Sequence, residues 1–407
     1  MAAIGHNSLK QTTRQTTTSA TYGNVSGCQF PSTDFTAGKK YLLVVTGQAD
    51  RNSTGTNVGL RVAHGGAAFA DSEQINQFSG GTFRYPYAWF HVWTAVASEA
   101  IDLQIASSDG ATQAGVDAVV MSWMNLSDDL VENTDWKFGE SSSDLGLTTT
   151  PQAGATVTIT PGGASDWAVM SYAQYSTTAI TTSGISRINR SGEASATLPE
   201  CRREMRATSE IPGYVLGRVY ALTAAANTFT EESSITAGTA WTRLHSKVFI
   251  LNLNKFRNHA FAYTEADAAT SATNYATLAQ SVGITPDIAG DVWFGVYVGF
   301  DKANAARELE IITQLDNADD PAGTTTENYQ MLADGDSTDE APVFLQTVTN
   351  VTAAAHTLDV DCSTESTAGT PAVQYRTAWA VTMELAVPPT PESVHWPIYR
   401  TRMREWT

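Results

Sequence analysis

The chain has 407 residues, 42% of them hydrophobic and 16% charged, with a formal net charge of −18 at pH 7. That length exceeds what one core normally fills, so several domains are expected, and the excess of acid argues against nucleic acid or an anionic membrane as partner. No apolar run approaches the roughly 20 residues that span a bilayer. The opening Met1-Ala2-Ala3-Ile4-Gly5-His6-Asn7-Ser8 lacks the basic and apolar regions of a secretion signal, so assembly in a cytoplasm is expected.

Residues 1–38 are rich in Thr, Ser, Gln and Gly and carry no helical period, which reads as an extended arm or an edge strand. Lys40-Tyr41-Leu42-Leu43-Val44-Val45-Thr46-Gly47 then opens a series of short strands. Val58–His64 alternates apolar with other residues, Phe83–Trp93 crowds Tyr85, Tyr87, Trp89 and Trp93 together, and Ile101–Ile105 alternates again before Ala118–Trp123. The same order then returns twice. Asp166–Tyr172 and Asp291–Phe300 resemble the segment at Tyr41, and placing Tyr41, Trp167 and Trp293 in register gives a step of 126 residues. Ile159-Thr160-Pro161 and Ile284-Thr285-Pro286 precede two of the copies. Tyr214–Ala226 lines up with Val343–Ala355, and both with Ala88–Ala97.

The chain therefore reads as triplicated. The expected fold is all-β, with three tandem β-sandwiches of jelly-roll type, each of about eight short strands separated by Gly, Ser, Thr, Asn and Asp turns. The divisions are 1–126 (arm and first sandwich), 127–253 (second), 254–386 (third) and 387–407 (a C-terminal docking tail). Ala303–Leu309 is the one short helical candidate. Net charge over these divisions is −1, −4, −14 and +1, so the third sandwich is expected to face solvent. The tail, Pro388-Pro389-Thr390-Pro391 followed by Trp396, Tyr399, Arg400, Arg402, Arg404 and Trp406, carries the residue types enriched at interface hot spots, and is expected to dock on a partner chain.

Chemistry is sparse. There is no phosphate-binding glycine loop, no Gly-x-Ser-x-Gly and no His-Glu-x-x-His, so no enzyme activity and no cofactor are expected. The seven histidines are scattered singly, without metal-site spacing. Asp334, Asp336 and Asp339 place oxygens at alternate positions and form a weak calcium candidate, although the glycine falls in the wrong place for an EF-hand. Arg202, Arg203 and Arg206 form a basic cluster suited either to solvent or to an acidic neighbour. Cys28, Cys201 and Cys362 fall one per repeat at unrelated positions, which fits three buried thiols; a bridge to a partner chain is the alternative. Tyr85, Tyr87 and Trp89, at alternate strand positions, share one face, which is either core or a sugar-stacking platform.

Tandem sandwiches without catalytic motifs, rich in Thr, Ala and Gly and flanked by an arm and an interface-like tail, resemble the structural proteins of tailed-bacteriophage particles. Ile4-Gly5-His6-Asn7-Ser8 also resembles the starts of many phage and prophage proteins. The resemblance implies a virion component such as a capsid decoration, cementing or linking protein, or a collar or tail protein. Its implied partners are other virion proteins, above all the major capsid protein, and further copies of itself, as in a trimer. A carbohydrate-binding fibre or receptor-recognition protein is the rival reading.

Overall fold

The computed structural model describes residues 3–386, apart from 52–56, 78–83, 97–98, 181, 194–198, 206–207, 267, 270–276, 302–307, 320–329, 333–339 and 365–371. Nearly all regular structure in it is antiparallel strand, and two single-turn 3-10 helices, Ser32–Asp34 and Leu253–Lys255, are described. Of the helical candidate, Glu308 and Leu309 open the strand Glu308–Leu315; its earlier residues lie outside the described set.

The strands form three sandwiches of one topology. Each has a front sheet made of a lead strand, a closing strand, a central strand and a flanking strand, hydrogen-bonded in that order. In the first sandwich these are His6–Gln11, Ala114–Asn125, Lys40–Arg51 and Arg84–Thr94. In the second they are Trp136–Ser141, Trp241–Asn252, Ser165–Thr177 and Gly213–Leu222. In the third they are His259–Thr264, Ala372–Thr382, Gly290–Asp301 and Glu340–Val351. If each sandwich's strands are counted in chain order, taking the short strands at the fifth place together, the front sheet runs 1-8-3-6 and the back sheet 2-7-4-5. This is the interleaved double-sheet order of a jelly roll.

Two expectations sharpen here. Of the two readings of the N-terminal segment, arm or edge strand, the edge strand holds: His6–Gln11 is the lead strand of the first front sheet and Gly23–Phe30 pairs with Ile101–Ser107 in its back sheet. Thr- and Gln-rich strands at a sheet edge lack a continuous apolar face, and their sequence therefore looks unstructured. The repeat step also shifts. Trp167 shares a face with Tyr175, which bonds Ser233 of its own back sheet at 2.9 Å. Trp293 faces the other way, while Val292 and Phe294 pack with Val282, Ile284, Leu358 and Val360 of the third sandwich's own core. The counterpart of Trp167 is thus Val292, a step of 125 residues that also aligns Asp166 with Asp291 and Tyr172 with Tyr297. One residue of slip exchanges the two faces of a strand.

The central strands are buried on both faces. Residues 41–50 and 292–299 are buried without interruption, as strands covered from both sides must be. One face meets the back sheet of the same sandwich. The other meets neighbouring sandwiches, so one hydrophobic cluster runs through the first and second sandwiches and on to Trp293, Tyr297, Phe344 and Trp379 of the third. The flanking strands Arg84–Thr94, Gly213–Leu222 and Glu340–Val351 all touch one another around the centre. A single ladder pair, Arg202 with Glu340, also joins the second back sheet to the third front sheet.

Candidate functional site

The three joints between sandwiches close into a ring and bring polar side chains of different sandwiches together. At each joint the lead strand of one sandwich meets the start of another's central strand. His6 Nε2 lies 2.9 Å from Asp291 Oδ2, and His259 Nε2 lies 3.1 Å from Asp166 Oδ2. Lys40 Nζ lies 5.5 Å from the Trp136 ring centroid and 2.7 Å from Glu132. The first sandwich thus grips the third, the third grips the second, and the second grips the first. Head-to-tail contacts of this kind close only when the rotation between units fits the number of units, which three sandwiches satisfy here.

The central faces repeat the pattern. Tyr172 Oη donates to Asp71 O at 2.7 Å, and its counterpart Tyr297 Oη donates to Glu200 O at 3.0 Å, each reaching the preceding sandwich. On the flanking strands, Phe90, Gly217 and Gln346 share one ladder position, opposite Val44, Met170 and Gly295. Phe90 meets Tyr172 edge-on with ring centroids 6.4 Å apart. Gly217 leaves room for the buried indole of Trp379, which a Cβ there would approach to 3.0 Å. Gln346, 3% exposed, accepts from Ser122 Oγ at 2.7 Å and from Trp293 Nε1 at 3.1 Å. Its amide donates to Val44 O at 2.8 Å and Val120 O at 3.3 Å. A buried amide satisfied at both ends fixes register between two sandwiches.

The joint between the first two sandwiches also contains a cleft of about 240 Å³, whose lining includes His64, Phe69, His91, Glu140, His245 and Lys247. Lys247 is buried there. Its ammonium pairs with Asp71, donates to Phe90 O at 2.9 Å and lies 4.6 Å from the Trp89 ring centroid. Burial lowers the Lys247 pKa against the pull of Asp71. Burial would raise the Asp71 carboxyl, but the Lys247 ammonium holds it below its ordinary value. Burial, with Lys247 adding to it, pushes His91 down to about 3, so this imidazole is neutral at pH 7. His64 Nδ1 is bonded to Glu99 at 2.8 Å. Single histidines far apart in sequence gave no hint of this convergence, because it depends on how two sandwiches dock.

Tyr85, Tyr87 and Trp89 cannot form a sugar platform: each is at most 1% exposed. Tyr87 Oη donates to Ser72 O, Trp89 packs on Phe69, and Tyr85 lies under Arg203 at 4.6 Å. Arg203 also bonds Asn76 of the first sandwich at 3.3 Å, so it serves a joint within this chain; Arg206 lies outside the described residues. Cys28, Cys201 and Cys362 are buried, one in each sandwich. Asp334, Asp336 and Asp339 and the tail residues Trp396, Tyr399, Arg400, Arg402, Arg404 and Trp406 lie outside the described residues. Among the described residues no group of three or more His, Cys, Asp or Glu could hold a metal ion, and no helix is long and apolar enough to cross a membrane.

No family model and no curated protein matches the chain. Solved structures with weak similarity include a chain from work on the triple jelly roll fold and turret assembly of an archaeal virus, with a TM-score of 0.20 and 7% identity over 85% of this chain and 81% of that one. A chain of the T13 IBDV viral particle gives a TM-score of 0.25 and 7% identity over 95% and 82%. The CBM22-1-CBM22-2 tandem domain of Paenibacillus barcinonensis Xyn10C gives 0.18 and 8% over 55% and 82%. At these scores the chain has weak viral-particle and carbohydrate-module neighbours and is assigned to no family.

Proposed function

We propose that this chain is a non-enzymatic structural component of a bacteriophage particle, a capsid decoration, cementing or linking protein. The observation that supports it best is the closed ring of three jelly rolls. The central strands of its front sheets are buried on both faces, so the conspicuous aromatic and apolar residues hold the three sandwiches together as one block. A block of this kind suits a load-bearing surface subunit. With the N-terminal strand built into the ring, docking on other virion proteins, the major capsid protein first among them, falls to residues 387–407. The third sandwich, at −14 over residues 254–386, faces outward, and its charge keeps particles from adhering to one another.

The test is incorporation. Mass spectrometry of purified particles should find the full chain at fixed copy number, and a chain ending at residue 387 should be lost from them while remaining folded in solution. Particles that carry the truncated chain at normal copy number would refute docking through the tail. Absence of the full chain from purified particles would refute the virion assignment.

A further inference from the structure

The flanking strands carry different side chains at the ladder position next to the one that holds Phe90, Gly217 and Gln346: His91 opposite Leu43, Arg218 opposite Val169 and Thr347 opposite Phe294. At the joint between the second and third sandwiches the Arg218 guanidinium fills the space this position commands. It lies 3.9 Å from the Tyr263 ring centroid, 2.8 Å from Glu193 and 3.8 Å from Glu265. At the joint between the first and second sandwiches the shorter imidazole of His91 leaves the cleft of about 240 Å³. The buried Nδ1 of His91 has no hydrogen-bond partner among the described residues, and Glu140 Oε2 stands 3.9 Å from it. Glu140 occupies the ladder place of Tyr263, since Glu140 lies opposite Lys247 and Tyr263 opposite Thr377, and those two lie opposite Tyr172 and Tyr297.

The charges around the cleft leave one carboxylate for an incoming ligand. Asp71 is paired with Lys247 and Glu99 with His64, whereas Glu140, whose charge also reaches Lys247 across the ladder, keeps a carboxylate oxygen 3.9 Å from the imidazole of His91 and is the more exposed of the lining acids. A planar cation set between them would donate to the carboxylate and to the imidazole nitrogen at once and lie near the Phe69 ring, which also lines the cleft. We propose that this cleft is a binding site for a guanidinium group, which takes at the first joint the place that the side chain of Arg218 fills at the second. The group can come from an arginine side chain, such as Arg400, Arg402 or Arg404 of the tail, or from a small free molecule. The assignment stands independently of the virion reading.

The test titrates the full chain with methylguanidinium, followed by calorimetry and by the imidazole resonances of His91. Saturable binding that shifts His91 is expected. Glu140→Gln should weaken it at least about tenfold, ~1.4 kcal/mol, and His91→Arg should abolish it by supplying the guanidinium from within. Glu140 is exposed enough for its substitution to leave the fold intact if His91→Arg does not fold. Displacement of methylguanidinium by a peptide of residues 395–407 would assign the group to the tail; a peptide that fails to displace it assigns the same site to a small guanidinium. No saturable binding, unchanged binding by Glu140→Gln, or equal binding of tetramethylammonium would overturn the proposal.

Discussion

Replacing Gln346 by Leu tests whether the ring is held by specific polar contacts or only by apolar burial. The change keeps roughly the same bulk and removes both ends of the amide. Two buried donors, Ser122 Oγ–H and Trp293 Nε1–H, lose the oxygen they share. An orphaned buried donor costs about 1–3 kcal/mol, and the added apolar surface returns about 1 kcal/mol. The net loss is then about 1–5 kcal/mol. It should appear as a lower urea midpoint at unchanged slope, with faster amide exchange in Ala114–Asn125 and Glu340–Val351. Adding Ser122→Ala to the same chain removes one orphan and should recover about 1 kcal/mol, which makes the pair non-additive. A Gln346→Leu chain within about 0.5 kcal/mol of the parent would refute this account of the joint.

The remaining predictions concern titration and close packing. His91 has a folded pKa of about 3, below its unfolded value, so its contribution is complete above about pH 6.5 and is lost as the pH falls toward 3. His91→Phe should flatten that part of a melting-temperature profile. Glu231 behaves oppositely. Burial, resisted by Arg243, Ser233 and Ser186, pushes its folded pKa up to about 7. The folded chain then holds a proton that the unfolded chain has released, and stability falls as the pH rises from about 4.5 to 7; Glu231→Gln should remove that slope. Gly295→Ala would put a Cβ well inside contact distance of the Trp379 indole, and should cost about 1–3 kcal/mol or more. A melting temperature unchanged by this substitution would contradict the packing of Trp379.

The jelly-roll repeats were legible because strand alternation and turn residues are local signals, and because Asp166 with Asp291 and Tyr172 with Tyr297 were preserved in kind. Trp167 and Trp293 misled the register, since a large aromatic is equally at home on either face of a strand that is buried on both. The lead strand His6–Gln11 was harder to read. Its stability comes from pairing with residues more than a hundred positions away, and no local pattern encodes that. The cleft was illegible for the same reason: His64 and His91 meet around Phe69 through the fold of the first sandwich, and Glu140, His245 and Lys247 join them only through the docking of the second. Tyr85, Tyr87 and Trp89 were correctly placed on one face, but which face is covered is a property of the ring.

The clasp of the ring also has a consequence in time. Ala3 pairs with Glu384, and Ile4 N donates to Met383 O at 3.0 Å, so the first described residues are locked by nearly the last. During synthesis the first two sandwiches can form while the third is still emerging, but the lead strand's grip on Asp291 and Glu384 must wait for the end of the chain. Contacts of such long sequence separation form slowly. Until then the central face of the first front sheet, which Gln346 of the third sandwich meets at Val44, stays uncovered, and a neighbouring chain that closes the circle first would produce a domain-swapped dimer.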